Sequence, residues 1–221
     1  MSAGVLRIWG RISSVNVQKV VWTADELGLA YERIEAGGAF GLVATPEYRR
    51  MNPNGLVPVI EDDGFVLWES NAIVRYLAAK HSPGTLWPDD LKRRADVDRW
   101  MDWQATTFTP AMRDAFWQLV RTAPEKRDAV ALEASRAASE KAAAVLDSHL
   151  DSRAFVAGDA FSPADIVLGC AAHRWLNLPL AREPRPQIER WYASLKARPG
   201  AAAVLSTPVV VDFDFDGASA T

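Results

Sequence analysis

The chain has 221 residues, of which 49% are apolar and 24% are charged, with a formal net charge of −3. This balance is typical of a globular protein, and the length suffices for one large domain or two small ones. The basic residues are scattered, so we expect neither a nucleic-acid surface nor binding to an anionic membrane. No apolar run reaches the roughly 20 residues that cross a bilayer, and the first 20 residues lack a signal-peptide pattern. We therefore expect a cytoplasmic protein.

The first 81 residues alternate between strand and helix patterns. Apolar, β-prone runs predict strands at 5–10, 30–36, 57–61 and 65–69, and helical periodicity or capping residues predict helices at 16–27, 45–52 and 70–81. Asp63-Gly64 between the last two strands is a strong hairpin signal. The predicted order is βαβαββα, which is that of an α/β domain.

Residues 82–90 are rich in Pro, Gly and Asp and predict a linker. Strand patterns are absent from the stretch that follows. Helices are predicted over 91–121, from Pro124, over 131–150, from Ser162 and over 185–197. The predicted organisation is an α/β domain (1–81), a linker (82–90), an all-α domain (91–206) and a tail (207–221) that lies over the body and frays.

The segment around Ser162 has the strongest local helix signal. Pro163 stands at the first helical position, and Asp165 is placed to complete a capping box with Ser162. Phe161 and Ile166 are spaced as a hydrophobic staple. We therefore predict a well-defined helix start here.

One cysteine and three histidines restrict metal and redox chemistry. Cys170 alone excludes an internal disulfide and a multi-cysteine metal site. His81, His149 and His173 stand far apart, and none has a carboxylate or a second histidine at metal-ligand spacing. We expect no metal cofactor.

Candidate functional residues lie between the first predicted strand and helix. Ser13, Ser14 and Asn16 stand at a helix N-terminus, where unpaired N–H groups and the helix dipole favour an anion. A serine hydroxyl there can donate to a thiolate or a carboxylate. The alternative is that Ser14 or Asn16 only caps the helix.

Two further pairs flank the predicted hairpin. Pro58 must stand at a strand start or edge, and a cis bond would leave the Val57 main chain free to pair with a ligand. Ser70 either caps the third helix or, with Glu69, binds the carboxylate and the ammonium group of an amino-acid head. An ordinary edge proline and an ordinary cap remain the alternatives.

Taken together, these features resemble the cytosolic glutathione transferase family over about residues 5–200. The resemblance rests on the serine after the first strand, "NPNGLVP", "ESNAIVRYL", the Pro-rich linker and "SPADI". The serine-using branch, with its theta, zeta and related bacterial types, is the most similar. The resemblance implies a thioredoxin-like domain joined to a helical domain, a homodimer, and glutathione as the co-substrate that receives an alkyl or aryl group.

The resemblance also implies roles for individual residues. Ser14 would donate its hydroxyl to the glutathione thiol, with Ser13 one residue away as the alternative and Asn16 as a possible second donor. Val57 would pair its main chain with the cysteinyl part of glutathione, before a cis-Pro58.

The γ-glutamyl end of glutathione would be held by three residues. Glu69 and Ser70 belong to the same subunit, and Asp98 would reach across a dimer interface or else remain a solvated helix charge. Relatives often carry basic residues where this chain has Leu56 and Val43-Ala44, so the partner of the glycyl carboxylate stays unassigned.

The electrophile would bind against aromatic residues of the all-α domain, unless these serve core or dimer packing instead. The candidates are Trp103, Thr107, Phe108 and Trp117. The sequence thus predicts a glutathione transferase acting on a small hydrophobic electrophile. The alternative is a binding protein that retains the transferase fold without catalysis.

Overall fold

The computed structural model describes residues 5–209, so most of the predicted tail lies outside the described residues. Four strands form one mixed sheet: β1 (Leu6–Trp9), β2 (Tyr31–Ile34), β3 (Val59–Asp62) and β4 (Phe65–Trp68). The sheet order is β2-β1-β3-β4, with β2 parallel to β1 and the other neighbours antiparallel. Three helices complete this part: α1 (Val15–Glu26), α2 (Pro46–Met51) and α3 (Ser70–His81). The predicted order βαβαββα is confirmed.

The rest of the described chain is helical, as predicted. Its helices are α4 (Leu91–Trp103), α5 (Thr109–Phe116), α6 (Ala129–His149), α7 (Pro163–Asn177), α8 (Pro186–Lys196) and α9 (Ala202–Leu205). The predicted helix over 91–121 contains two π-helical segments, Gln104–Phe108 and Trp117–Arg121. Such segments widen a helix locally and often occur near functional sites.

The predicted helix start at Pro124 is wrong. Pro124 begins only a 3-10 turn, and α6 starts after Asp128. The Asp128 carboxylate accepts hydrogen bonds from the N–H groups of Val130 (2.9 Å) and Ala131 (3.0 Å). The carboxylate cap therefore outcompetes the proline as the helix start.

The two strongest local signals are confirmed. Asp63 and Gly64 turn the hairpin with φ of 51° and 83°, the left-handed values that a tight hairpin turn requires. At the start of α7, Asp165 Oδ2 accepts from the N–H (3.0 Å) and the hydroxyl (2.9 Å) of Ser162. Both segments are fixed by bonds between near neighbours in the sequence.

Helix α1 joins the two parts of the molecule. It packs against α3 on one side and against α7 on the other, within a single continuous apolar core. Gly169 of α7 permits this approach, because a Cβ there would lie 2.8 Å from both Trp22 and Leu195. The loop before α1 and the start of α3 are thereby held at the junction with the helical part.

Candidate active site

Ser14 begins α1 without using its side chain as a cap. Its backbone is extended (φ −84°, ψ 121°), its N–H donates to Arg11 O at 3.1 Å, and its C=O accepts from Gln18. Its hydroxyl makes no capping bond, and within residues 5–209 neither Ser13 nor Ser14 has a side-chain hydrogen bond to the protein. Both hydroxyls thus remain available at the positive end of α1.

Asn16 and Ser70 connect α1 to the start of α3. The Ser70 hydroxyl donates to Asn16 Oδ1 at 3.3 Å, which places the two candidate segments side by side. Ser70 is 5% exposed, whereas Asn16 and Glu69 are exposed. The structure therefore brings Ser13, Ser14, Asn16, Glu69 and Ser70 to one edge of the α/β part.

Lys19 is a residue of this site that sequence reasoning missed. Its ammonium group donates to Ser70 Oγ (3.4 Å) and to Asn71 Oδ1 (3.1 Å). Burial lowers the pKa of Lys19 to about 8 because the charged form loses its hydration. The signal was present as a lone lysine inside the apolar run "VQKVVW", where a charge needs a buried partner.

Asn71 extends the same network into the helical part. Its amide donates to the Met101 carbonyl at 2.8 Å and to Gln104 Oε1 at 3.3 Å. Gln104 is fully buried and donates in turn to Thr109 Oγ1 at 2.5 Å. The position of Ser70 is therefore coupled, through Lys19 and Asn71, to the first π-helical segment.

Val57 presents an unpaired main chain next to the end of β1. The Val57-Pro58 bond is cis. Within the described residues, neither the N–H nor the C=O of Val57 has a hydrogen-bond partner. The preceding Leu56 carbonyl is fixed by Tyr48 Oη (2.9 Å) and Asn52 Nδ2 (2.8 Å). A short extended ligand segment can therefore pair with Val57 as an added strand does.

Glu69 stands in an unusual backbone conformation at the start of α3. Its φ is 73°, which non-glycine residues seldom adopt and which is enriched at ligand sites. The side chain makes no capping bond to α3 and is exposed. Its carboxylate is consequently open to a cationic ligand group beside Ser70.

Asp98 lies in an ion-pair cluster of its own chain. Arg75 Nε approaches Asp98 Oδ1 at 2.5 Å, and Arg75 Nη2 approaches Asp102 Oδ1 at 2.6 Å. Asp98 is partly exposed on α4, so one face of its carboxylate remains accessible. A role across a dimer interface stays a prediction.

The four candidates for the electrophile site differ in exposure. Trp117 is 58% exposed and Thr107 is exposed, whereas Phe108 is fully buried. Phe108 stacks on Trp103 with ring centroids 5.6 Å apart and touches Trp175. Phe108 therefore has the packing role that the sequence left open, and Trp117 is the most accessible of the three aromatic candidates.

Two of the three histidines have hydrogen-bond partners within the fold, and the single cysteine is buried. His173 contacts Tyr192 Oη (2.6 Å) and the Thr207 carbonyl (2.8 Å), and His149 contacts the Val156 carbonyl (2.7 Å). Burial raises the pKa of Cys170 to about 12, so this thiol stays protonated. Among residues 5–209, no group of three or more His, Cys, Asp or Glu side chains is arranged to hold a metal ion.

No helix within the described part of the chain combines the length and the apolar character needed to cross a membrane.

Two family models match the sequence. The glutathione S-transferase N-terminal domain matches residues 4–79, and the glutathione S-transferase C-terminal domain matches residues 108–199.

Individual proteins extend this similarity over nearly the whole chain. Glutathione S-transferase GstB of Escherichia coli is 43% identical over 93% of this chain and 100% of its own length. A theta class glutathione S-transferase from Xanthomonas axonopodis pv. citri, solved with glutathione bound, has a TM-score of 0.90 and 43% identity, covering 93% of this chain and 99% of the other. Elongation factor 1-gamma 1 of rice is 30% identical over 73% of this chain but only 39% of its own length.

Proposed function

This chain belongs to the glutathione S-transferase family, and from that premise we propose that it binds glutathione with the residues described above and activates its thiol through Ser14. The electrophile is a small and largely hydrophobic molecule. The single observation that supports Ser14 most is its unused hydroxyl at the N-terminus of α1.

A thiol with a pKa near 8.5 is mostly protonated at neutral pH. A hydrogen bond from a hydroxyl and the positive end of a helix both favour the thiolate, by about one to two pKa units together. The proton passes to solvent, and the thiolate then attacks the electrophilic carbon. The C–S bond forms as the leaving group departs with its electron pair. Asn16, hydrogen-bonded to Ser70, is a candidate second donor, and Ser13 is the alternative to Ser14.

Glutathione would lie across the edge where the candidate segments meet. The Val57 main chain, before cis-Pro58, pairs with the cysteinyl part. Ser70 and the N-terminus of α3 bind the γ-glutamyl carboxylate, and Glu69 pairs with the γ-glutamyl ammonium group. Leu56 is 65% exposed and has no charge to offer the glycyl carboxylate.

We further propose a cytoplasmic homodimer. In it, Asp98 of the partner subunit supplements Glu69 at the γ-glutamyl amine. Residues 1–81 would form the glutathione-binding domain, 82–90 the linker, 91–206 the helical domain and 207–221 the tail. The electrophile would lie against Trp103, Thr107 and Trp117 of the helical domain. Light scattering coupled to gel filtration tests the dimer.

The test of the mechanism is Ser14→Ala, with Ser13→Ala as the matched control. We expect Ser14→Ala to raise the thiol pKa of bound glutathione by about one to two units and to lower kcat at neutral pH about 10- to 100-fold. Ultraviolet absorbance of the thiolate and turnover of a neutral aryl chloride measure the two effects. If Ser13→Ala shows these changes and Ser14→Ala does not, the roles of the two serines are exchanged.

The alternative is a binding protein with the transferase fold. The similarity to an elongation factor and the uncharged Leu56 are the observations that favour it. Isothermal titration calorimetry separates the two functions. If millimolar glutathione produces no binding heat and no aryl chloride is turned over, the transferase proposal fails.

A further inference from the structure

Three arginines, one of them in the loop that leads into Ser14, have no role in the proposed function. We propose that Arg11, Arg121 and Arg174 form a subsite for an anionic group of the electrophile. The preferred substrates then carry a carboxylate or a similar oxyanion in addition to the carbon that reacts. This inference rests on the proposed glutathione chemistry and narrows its substrate class.

Arg11 belongs to the same loop as Ser14, whose N–H bonds to the Arg11 carbonyl. Its guanidinium lies over two glycines. A Cβ at Gly37 would be 2.7 Å from Arg11 Nη1, and a Cβ at Gly38 would be 3.2 Å from Nε. The side chain is half-buried, and its Nε is shielded from solvent without a hydrogen-bond partner. The loop that leads into Ser14 thus places a cation over Gly37 and Gly38.

Arg174 and Arg121 come from the helical part and meet at Phe116. The Arg174 guanidinium carbon lies 3.9 Å from the centre of the Phe116 ring, and that of Arg121 lies 5.8 Å away. A guanidinium on an aromatic face is held in orientation by the cation–π attraction. The N–H donors of a stacked guanidinium lie in its own plane, in the geometry that suits a carboxylate.

The charges of the cluster act on one another. Burial, followed by repulsion from Arg121, lowers the pKa of Arg174 to about 10, and Arg11 contributes to this shift. Burial and Arg11 also lower the pKa of Arg121. The three cations are therefore close enough to repel one another.

Two of the three arginines, Arg11 and Arg174, have no acidic partner within the described residues. Among residues 5–209, no ion pair includes Arg11 or Arg174. Partly buried cations normally have such partners, because desolvation of an unpaired charge is costly. Two guanidinium groups on one aromatic ring, with a third cation near them, therefore indicate a site for an anion.

An anionic electrophile would otherwise approach the glutathione thiolate against charge repulsion. The arginines offset that repulsion and hold the oxyanion, which takes no part in bond changes. Sulfur forms the bond to the carbon that carries the halogen. The carbon–halogen bond breaks, and the halide leaves with the electron pair.

Two matched electrophiles test this subsite: 4-chloro-3,5-dinitrobenzoate, which is anionic, and its methyl ester, which is neutral. For the full-length protein, we expect the ratio of kcat/KM values (acid over ester) to exceed the ratio of the uncatalysed rates. We expect Arg174→Gln to lower the enzyme ratio about 10-fold or more, mainly by raising KM for the acid. The matched control is Arg113→Gln, which removes an exposed arginine from α5 and should leave the ratio unchanged.

Inhibition gives a second measurement if Arg174→Gln does not fold. The unreactive 3,5-dinitrobenzoate should inhibit turnover of the ester more strongly than its own methyl ester does. Arg121→Gln should remove this difference. An enzyme that turns over the neutral ester without any preference for the acid overturns the inference and leaves the proposed function intact. If the unmodified protein neither binds glutathione nor turns over either electrophile, the proposed function is refuted instead.

The chain itself contains a competing anion. Residues 210–221 include Asp212, Asp214 and Asp216, only a few positions after Val209, which packs near Phe116. Changing these three aspartates to asparagine in the full chain distinguishes the two occupants. If a preference for the acid appears only in that variant, the cluster serves the acidic segment and the inference is overturned.

Discussion

Within residues 5–209, two helices have a serine at the N-cap, α1 with Ser14 and α7 with Ser162, and the two serines are used in opposite ways. At α7, the Ser162 hydroxyl and N–H both bond to Asp165, whose other oxygen accepts from Val156 N–H (2.8 Å) and Trp191 Nε1 (2.9 Å). At α1, the Ser14 hydroxyl has no such partner among residues 5–209. The first serine is consumed by the fold, whereas the second is left available for a ligand.

At the same helix position, the N-cap, Ser162 thus contributes to stability, whereas Ser14 is available for function. A satisfied cap stabilises a protein by about 1 kcal/mol, so an unused hydroxyl at an N-cap forgoes stability. Proteins tolerate that loss where a ligand later takes the bond. Three predictions follow in order of decreasing effect: the first and third test this comparison directly, and the second tests the buried lysine of α1.

Asp165→Ala should have the largest effect. It leaves four buried donors without an acceptor, so we expect the free energy of unfolding to fall by about 3 to 5 kcal/mol. Urea unfolding followed by tryptophan fluorescence measures this loss. Asp159→Ala, an exposed carboxylate on the loop before α7, is the control. A loss below about 1 kcal/mol for Asp165→Ala would mean that the α7 cap does not hold the fold.

Lys19→Met should change the pH dependence of stability. Burial lowers the pKa of Lys19 from 10.5 to about 8, so between these values the unfolded chain binds the proton that the folded chain has lost. The unfolding free energy of the unmodified protein should therefore rise with pH over this range, relative to the variant, by about 3 kcal/mol in total. Urea midpoints at several pH values measure the difference. A constant difference would show that Lys19 does not titrate there.

Ser14→Ala should leave stability almost unchanged, by less than about 0.5 kcal/mol, whereas Ser162→Ala should cost about 1 to 2 kcal/mol. Thermal unfolding of the two variants under the same conditions gives the comparison. Equal losses would mean that the Ser14 hydroxyl caps α1 in solution.

Much of the fold was predictable because its signals are local. The Asp63-Gly64 hairpin and the Ser162 capping box depend on residues that are close in the sequence, and both are confirmed. The family and the enzyme class are confirmed as well. The helix start predicted at Pro124 was wrong because Pro124 and Asp128 are both helix-start signals, four residues apart, and local propensity does not decide between them.

The part of the site that escaped prediction depends on tertiary contacts. Lys19 looks like one helical lysine among many until α3 places Ser70 and Asn71 against it. Arg11, Arg121 and Arg174 are separated by more than 50 residues at each step, so no spacing rule connects them. The π-helical segments likewise have no sequence signature of their own.

The hydrogen bonds that run from Lys19 through Asn71 to Gln104 have a consequence for chimeric proteins, whether they are engineered or arise by recombination. The two halves of the molecule share hydrogen bonds directly behind the proposed glutathione head-group site. A chimera that takes its helical half from a relative would also take from that relative the residue opposite Asn71. Unless that residue also accepts a hydrogen bond, the graft would disturb Ser70 although every binding residue had been kept. The junction of such a chimera should therefore be placed inside the helical half, after Thr109, and not at the linker.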